Sequence, residues 1–112
     1  MPHHRIAVLL GTAALALHLG FASAAPPPSM AQAQRAYYQG HYAHSLALFV
    51  QLADAQDAEA AECAGIMLLL GEPQYGPQVR RNVPRAKALL LQAARAGRPG
   101  AGTLLNMVER TD

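Results

Sequence analysis

The chain has 112 residues, of which 52% are hydrophobic, 5% aromatic and 14% charged, and this length suits one small domain rather than two. A single cysteine and the absence of tryptophan exclude a disulfide-stapled miniprotein and a zinc site built from several cysteines. The formal charge of +2 is too small to indicate a nucleic-acid-binding surface, so we expect no nucleic-acid partner.

The first 24 residues have the features of a signal peptide. His3, His4 and Arg5 precede an apolar run over residues 6–19, which is about 14 residues long. A membrane span needs roughly 20 apolar residues, whereas the apolar part of a signal peptide needs about 7–15. The small residues Ala22-Ser23-Ala24 fit a signal peptidase site, so we expect cleavage after Ala24. The alternative is a buried N-terminal helix of the domain.

Cleavage would leave a proline-rich linker at residues 25–29 and a domain over residues 30–112. The only cysteine, Cys63, is far from the cleavage site, so we expect no lipid anchor and no stable membrane anchor afterwards. The expected location is therefore the periplasm or the cell exterior. Residues 30–79 carry one basic and five acidic side chains, whereas residues 80–112 carry seven basic and two acidic ones. The mature protein should be an electric dipole.

Capping signals and glycine stops predict five helices. Ser29 and Gln32 form a capping box for the first helix, which ends at about Gln39, before Gly40. Asp57 is the expected N-cap of the third helix and Asn82 that of the fourth. The second to fifth helices are predicted over residues 41–55, 57–70, 82–97 and 99–110.

The segment from Gly71 to Asn82 holds two glycines and two prolines, which predicts an irregular loop. No segment alternates with the period of two that is typical of strands, so the predicted class is all-α.

Small and apolar residues recur after 41 positions. The pairs are Ser45–Ala86, Leu48–Leu89, Phe49–Leu90, Leu52–Ala93, Ala53–Ala94, Ala60–Ala101, Cys63–Leu104 and Ala64–Leu105. A shift of 31 relates Ala33, Ala36, Tyr37 and Gly40 to Ala64, Met67, Leu68 and Gly71. Self-similarity at this period indicates stacked helix pairs. The predicted fold is a short α/α solenoid of antiparallel helix hairpins.

The second copy of this pattern resembles a known repeat. Its spacing is Ala86-x2-Leu89-Leu90-x2-Ala93-Ala94-x2-Gly97-x3-Ala101-x2-Leu104-Leu105, which is similar to the Sel-one-like repeat, a relative of the tetratricopeptide repeat. The resemblance covers 58–105 and is weaker over 36–53, where Ser45 and Gln56 replace the family's small alanine and glycine. It implies a protein-binding scaffold, often in exported bacterial proteins, without catalytic residues or cofactors.

In such a solenoid the inner helices line the concave side and would contact a partner. The predicted partner-binding residues on these helices are Arg35, Tyr38, Glu59, Glu62, Ile66 and Met107. The alternative is that these side chains contact the neighbouring helix. A second candidate is the basic cluster Arg80, Arg81 and Arg85, which suits an acidic partner or the acidic half of a second copy; the alternative is a solvated loop.

The candidates for chemistry are few. His41 and His44 are three residues apart and could share a face with each other, but two histidines do not make a metal site. Cys63 falls on the apolar stripe near Glu59 and Glu62, which would raise the pKa of its thiol, so we do not expect a nucleophile.

We interpret the sequence as an exported, non-enzymatic helical-repeat adaptor that binds another protein or peptide, or a second copy of itself, without a metal or cofactor. One alternative is a small periplasmic enzyme accessory or metal-dependent domain using His41, His44 and Glu62. Another is a repeat fragment that docks on a larger repeat protein.

Overall fold

The computed structural model describes residues 26–111, and within this range the chain forms helices and no strands. The helices are α1 (Met30–Tyr38), α2 (Tyr42–Asp54), α3 (Ala58–Leu70), α4 (Glu72–Tyr75), α5 (Val83–Arg95) and α6 (Pro99–Thr111). The predicted all-α class is therefore confirmed. The predicted signal peptide at residues 1–24 lies outside the described residues.

Three of the helices begin at the predicted capping residues. The hydroxyl of Ser29 accepts the backbone N–H of Gln32 at 3.2 Å, and the backbone N–H of Ser29 donates to the Gln32 side chain at 2.8 Å. The side chains of Asp57 and Asn82 accept the N–H three residues further on, at 3.0 and 3.1 Å. Each cap satisfies a backbone donor that the first helical turn leaves without a partner. Residues within one turn of the chain therefore determine where these helices begin.

Three turns between helices share one geometry. They contain Gly40 (φ 78°), Gln56 (φ 71°) and Gly97 (φ 95°). In each turn the N–H of this residue donates to the carbonyl three residues back, at 3.0, 2.9 and 3.0 Å respectively. The N–H of the next residue donates to the carbonyl five back, at 2.9, 3.0 and 3.0 Å. This is the Schellman pattern, and it satisfies the last carbonyls of α1, α2 and α5.

Gln56 holds the strained position of its turn, because it is the one non-glycine residue with a positive φ among residues 26–111. A left-handed conformation costs a non-glycine residue about 1–2 kcal/mol of strain in the folded state. Glycine avoids this strain, but it raises the conformational entropy of the unfolded chain, which offsets part of the gain in stability. We expect Gln56→Gly to raise the free energy of unfolding by about 0.5–1 kcal/mol, measured by urea denaturation.

The matched control is Gly97→Gln, at the equivalent turn, where a Cβ would meet nothing within 4 Å. It should lower stability by a similar amount. Changes of the same sign in the two variants would show that the turns are not equivalent.

The helices pack in chain order, α1 against α2, α2 against α3, α3 against α5 and α5 against α6, and the α3–α5 contact is the most extensive. Most of the core is alanine, which lets helix backbones approach closely. The buried alanines are Ala33, Ala36, Ala53, Ala60, Ala61, Ala64, Ala86, Ala93 and Ala101. This packing explains how a chain with 5% aromatic residues closes a core.

Residues 41 positions apart have similar burial at the centre of the pattern. Ala60 and Ala101 are both fully buried. Phe49 and its counterpart Leu90 are also buried. Burial differs at other pairs, in both directions: Ala53 is buried and its counterpart Ala94 half-buried, whereas Leu52 is half-buried and its counterpart Ala93 buried. The repeated positions are therefore buried or half-buried in both copies.

Two side chains link one helix to a backbone carbonyl group of another. The buried hydroxyl of Ser45 on α2 donates to the carbonyl of Ala33 on α1 at 2.8 Å. The amide of Gln92 on α5 donates to the carbonyl of Ala53 on α2 at 2.7 Å. Ser45 therefore acts in the core, where its hydroxyl has a partner as burial requires.

The segment from Gly71 to Asn82 differs from the prediction of an irregular loop, because it contains the single helical turn α4. The N–H of Tyr75 donates to the carbonyl of Gly71 at 3.0 Å, and that of Gly76 donates to Glu72 at 2.9 Å. Pro73 is compatible with this turn because proline is tolerated at the first positions of a helix. The number of helices is therefore six rather than five within the described residues.

The same segment is closed at its base and contributes to the core. The N–H of Asn82 donates to the carbonyl of Leu68 at 2.9 Å, which brings the loop back to the end of α3. Two side chains of the segment itself, Tyr75 and Val79, are buried in the core. The loop is thus part of the packed fold and holds Tyr75 beside α1 and α2.

Candidate binding groove

An open groove of about 250 Å³ lies along α1 and α3, and we call it the α1–α3 groove. Residues of α1, α2, α3 and α4 contribute to its walls. They are Gln34, Tyr37, Tyr38, Phe49, Glu59, Cys63, Ile66, Met67 and Tyr75. Apolar and aromatic side chains dominate this set, as is typical of surfaces that receive a peptide.

All four tyrosines of the chain form one cluster at this groove. The ring of Tyr37 lies 5.8 Å from that of Tyr38, 5.3 Å from Tyr42 and 5.8 Å from Tyr75, and the rings meet edge to face. The hydroxyls of Tyr37 and Tyr75 are hydrogen-bonded at 3.0 Å. Edge-to-face pairs of this kind are stabilising and orient the rings. The α4 turn is what brings Tyr75 to the cluster.

Burial disfavours the ionised form of two side chains of the groove, Tyr75 and Cys63. Burial raises the pKa of Tyr75, and its hydrogen bond with Tyr37 adds to the rise. Burial likewise raises the pKa of the Cys63 thiol to about 11, with further contributions from Glu59 and Glu62. Because the thiolate is the nucleophilic form, Cys63 is a poor nucleophile at neutral pH.

Three of the predicted partner-binding residues come together at this groove: Tyr38, Glu59 and Ile66. Tyr38 is 85% exposed, and Glu59 is exposed as well. The remaining predicted residues lie elsewhere. Arg35 lines a separate depression of about 380 Å³ at α1 and α2, and Met107 is an exposed residue of α6 outside the groove.

Glu62 is engaged inside the molecule. Its carboxylate accepts a hydrogen bond from the guanidinium of Arg98 at 2.9 Å, and the two side chains are 16% and 40% exposed. This pair joins α3 to the residue before α6. The hydrogen bond and the charge of Glu62 raise the pKa of Arg98, so its guanidinium stays protonated. The structure therefore gives Glu62 an intramolecular partner.

The basic cluster is exposed but does not line the groove. Arg80 and Arg81 precede α5, and Arg85 lies in its first turn. The backbone of Arg81 is packed close to Gly71, so the segment that carries the cluster is held in place.

His41 and His44 are exposed and together line the depression that also contains Arg35. Among the described residues, no group of three histidine, cysteine, aspartate or glutamate side chains is placed to hold a metal ion. Glu62 is not a wall residue of that depression.

Several wall residues of the groove are not among the predicted partner-binding residues. The repeat pattern places Phe49, Met67 and Tyr37 in the core, and Tyr75 lies in a segment predicted to be irregular. An aromatic residue within a glycine- and proline-rich segment was the available signal, because such a side chain tends to be buried when it can reach a core.

Between residues 26 and 111, no helix combines the length and the apolar character needed to cross a bilayer. Comparisons of the chain with protein-family models, with curated proteins and with solved structures gave no match.

Proposed function

We propose that this chain is an exported, non-enzymatic helical-repeat adaptor that binds an extended segment of another protein in the α1–α3 groove. The observation that carries the proposal is the groove itself, where Tyr38 is 85% exposed and Ile66, which is half-buried, lines the same walls. Aromatic and apolar side chains that remain accessible at a groove favour an interaction site.

Stacking of helix hairpins in a short solenoid is part of this proposal. The packing of the helices in chain order supports it, as do the three turns with the same hydrogen bonds. In such a stack, the groove between successive inner helices is preformed, so a partner loses little free energy in ordering it.

Export to the periplasm or cell exterior is supported by the sequence of residues 1–24, with cleavage after Ala24. The engagement of Glu62 by Arg98 weighs against the alternative of a metal-dependent domain, since that carboxylate would have to leave an ion pair to bind a metal.

The test is selection of random linear peptides, displayed on phage, against the purified full-length mature protein, followed by affinity measurement on Tyr38→Ala. Tyr38 is exposed enough for its removal to leave the helices intact, which circular dichroism would verify. We expect enriched peptides whose affinity falls about tenfold in this variant, corresponding to the ~1.4 kcal/mol that an exposed aromatic contact contributes.

Leu91→Ala is the matched control, because Leu91 is a partly exposed apolar residue of α5 outside the groove. It should leave affinity within about twofold of the unsubstituted protein. The α1–α3 groove would be ruled out as the binding site if the selection yields no peptide. It would also be ruled out if the selected peptides bind Tyr38→Ala as tightly as they bind Leu91→Ala.

A further inference from the structure

The α1–α3 groove carries one formal charge, and its sign is negative. Of the nine side chains in its walls, Glu59 is the one that belongs to the charged residue types aspartate, glutamate, lysine and arginine. Its carboxylate makes no ion pair with any of the described residues, whereas its neighbour Glu62 is bound to Arg98. Glu59 is therefore the acidic group of α3 that a ligand can reach.

The charged groups around Cys63, a wall residue of the groove, are mostly acidic. Burial is the main cause that raises the pKa of its thiol; Glu59, Glu62 and Asp57 raise it further, and Arg98 lowers it. The basic cluster at Arg80 lies outside these walls. An anionic ligand would thus be repelled here, while an entirely apolar one would desolvate Glu59 without giving it a partner.

The aromatic side chains that line the same groove as Glu59 suit a cation. Tyr38 is 85% exposed and stands perpendicular to Tyr37, at an interplanar angle of 88°. A guanidinium or ammonium within about 6 Å of a tyrosine ring is attracted by the electron-rich face. Arginine can stack on a ring and also donate two hydrogen bonds to a carboxylate, so one side chain could satisfy both features.

We propose that the α1–α3 groove recognises an extended protein segment through an arginine or lysine side chain, which pairs with Glu59 and packs on Tyr38, while a neighbouring apolar residue contacts Ile66. This inference rests on the proposed function and adds the chemical class of the partner. The negative charge of Glu59 favours segments with basic side chains over segments with acidic ones.

The experiment compares two selections from the same phage-displayed library of random linear peptides, one on the full-length mature protein and one on Glu59→Gln. The glutamine keeps the size of the side chain and removes its charge. We expect arginine and lysine to be enriched in peptides that depend on Tyr38, and this enrichment to disappear with Glu59→Gln.

An enriched arginine peptide is then synthesised with citrulline, its uncharged isostere, in place of the arginine. We expect a loss of affinity of about tenfold on the unsubstituted protein, from the lost cation–π and ion-pair attraction. On Glu59→Gln the two peptides should differ much less. Glu109→Gln, on the exposed face of α6, is the matched control and should preserve the full difference.

The outcomes separate the two proposals. Peptides that depend on Tyr38 but show no preference for basic residues would overturn the charge selection and leave the adaptor function standing. If no peptide depends on Tyr38, the adaptor function falls and the charge selection falls with it. Self-association of the protein that is abolished by reversing Arg80, Arg81 and Arg85 to glutamate and blocked by Tyr38→Ala would make a second copy the occupant, which would overturn the proposal of a separate partner.

Discussion

Gly71→Ala should lower the free energy of unfolding by about 3 kcal/mol or more, the largest effect we expect from a single methyl group in this chain. Gly71 has φ +64°, and a Cβ built there would lie 2.6 Å from the Cβ of Arg81 and 2.7 Å from its backbone nitrogen. The obstruction is backbone, which cannot move aside as the end of a flexible side chain can. Relief would require opening the base of the loop that carries Tyr75.

Urea denaturation measures this loss, and near-ultraviolet circular dichroism locates it. The chain has no tryptophan and four tyrosines, all in the cluster at the groove, so the tyrosine signal reports on that site. We expect the signal to weaken in Gly71→Ala while the helical signal persists. If the variant is too unstable for equilibrium unfolding, its rate of proteolysis between Gly71 and Asn82 gives the same comparison.

Gly76→Ala is the matched control, because Gly76 also has a positive φ, +88°, but a Cβ there would meet nothing within 4 Å. Its cost should be the backbone strain alone, about 1–3 kcal/mol, and smaller than that of Gly71→Ala. Equal losses in the two variants would show that the close approach of Arg81 contributes nothing.

Gly65→Ala should destabilise the protein by about 1–3 kcal/mol, although alanine is the better helix former. Gly65 lies where α3 crosses α5, and a Cβ there would be 2.9 Å from the Cγ of Leu90, 3.0 Å from its Cδ2 and 3.3 Å from the carbonyl oxygen of Ala86. Because this helix pair has the most extensive contact in the fold, separating it would disturb the whole core.

A double-mutant cycle with Leu90→Ala checks the cause. Leu90→Ala alone should cost about 2–5 kcal/mol, because it leaves a cavity. The double variant should lose less than the sum of the two changes, by about 1 kcal/mol, since the new methyl group enters space that the leucine vacated. Strict additivity would mean that Gly65 and Leu90 do not limit each other.

Gly102→Ala, within helix α6, is the control for helix propensity. Its Cβ would make an ordinary contact with the Cβ of Ala94 at 3.9 Å. We expect a gain of about 0.5–1 kcal/mol, opposite in sign to Gly65→Ala. If Gly102→Ala lowered the free energy of unfolding as much as Gly65→Ala does, the effect would be common to glycine-to-alanine changes in these helices. The α3–α5 contact would then not be its cause.

These variants also connect the fold to the proposed binding. The loop closed at Gly71 holds Tyr75 against Tyr37, and Tyr37 in turn lies beside the exposed ring of Tyr38. Loss of that closure should therefore weaken peptide binding without touching a wall residue directly. The α3–α5 contact involves the same helix α3 that supplies four wall residues of the groove.

The bounds of α1, α2, α3, α5 and α6 could be predicted from the sequence to within about two residues, because each bound depends on residues within one turn of the chain. Ser29, Asp57 and Asn82 cap the helices that they were expected to cap, and Gly40 and Gly97 lie in the turns that end α1 and α5. The period of 41 likewise predicted which positions of α2 and α5 face the core. Local hydrogen bonds and helical periodicity carry this information.

The composition of the groove was decided by tertiary structure. Tyr38, Glu59 and Ile66 are predicted partner-binding residues that line the groove. The groove is also lined by Tyr75, which lies in the α4 turn beyond the end of α3. The pairing of Glu62 with Arg98 joins residues 36 positions apart. Such contacts depend on the angles at which helices pack and on how a loop closes, and neither quantity is set by residues adjacent in the chain.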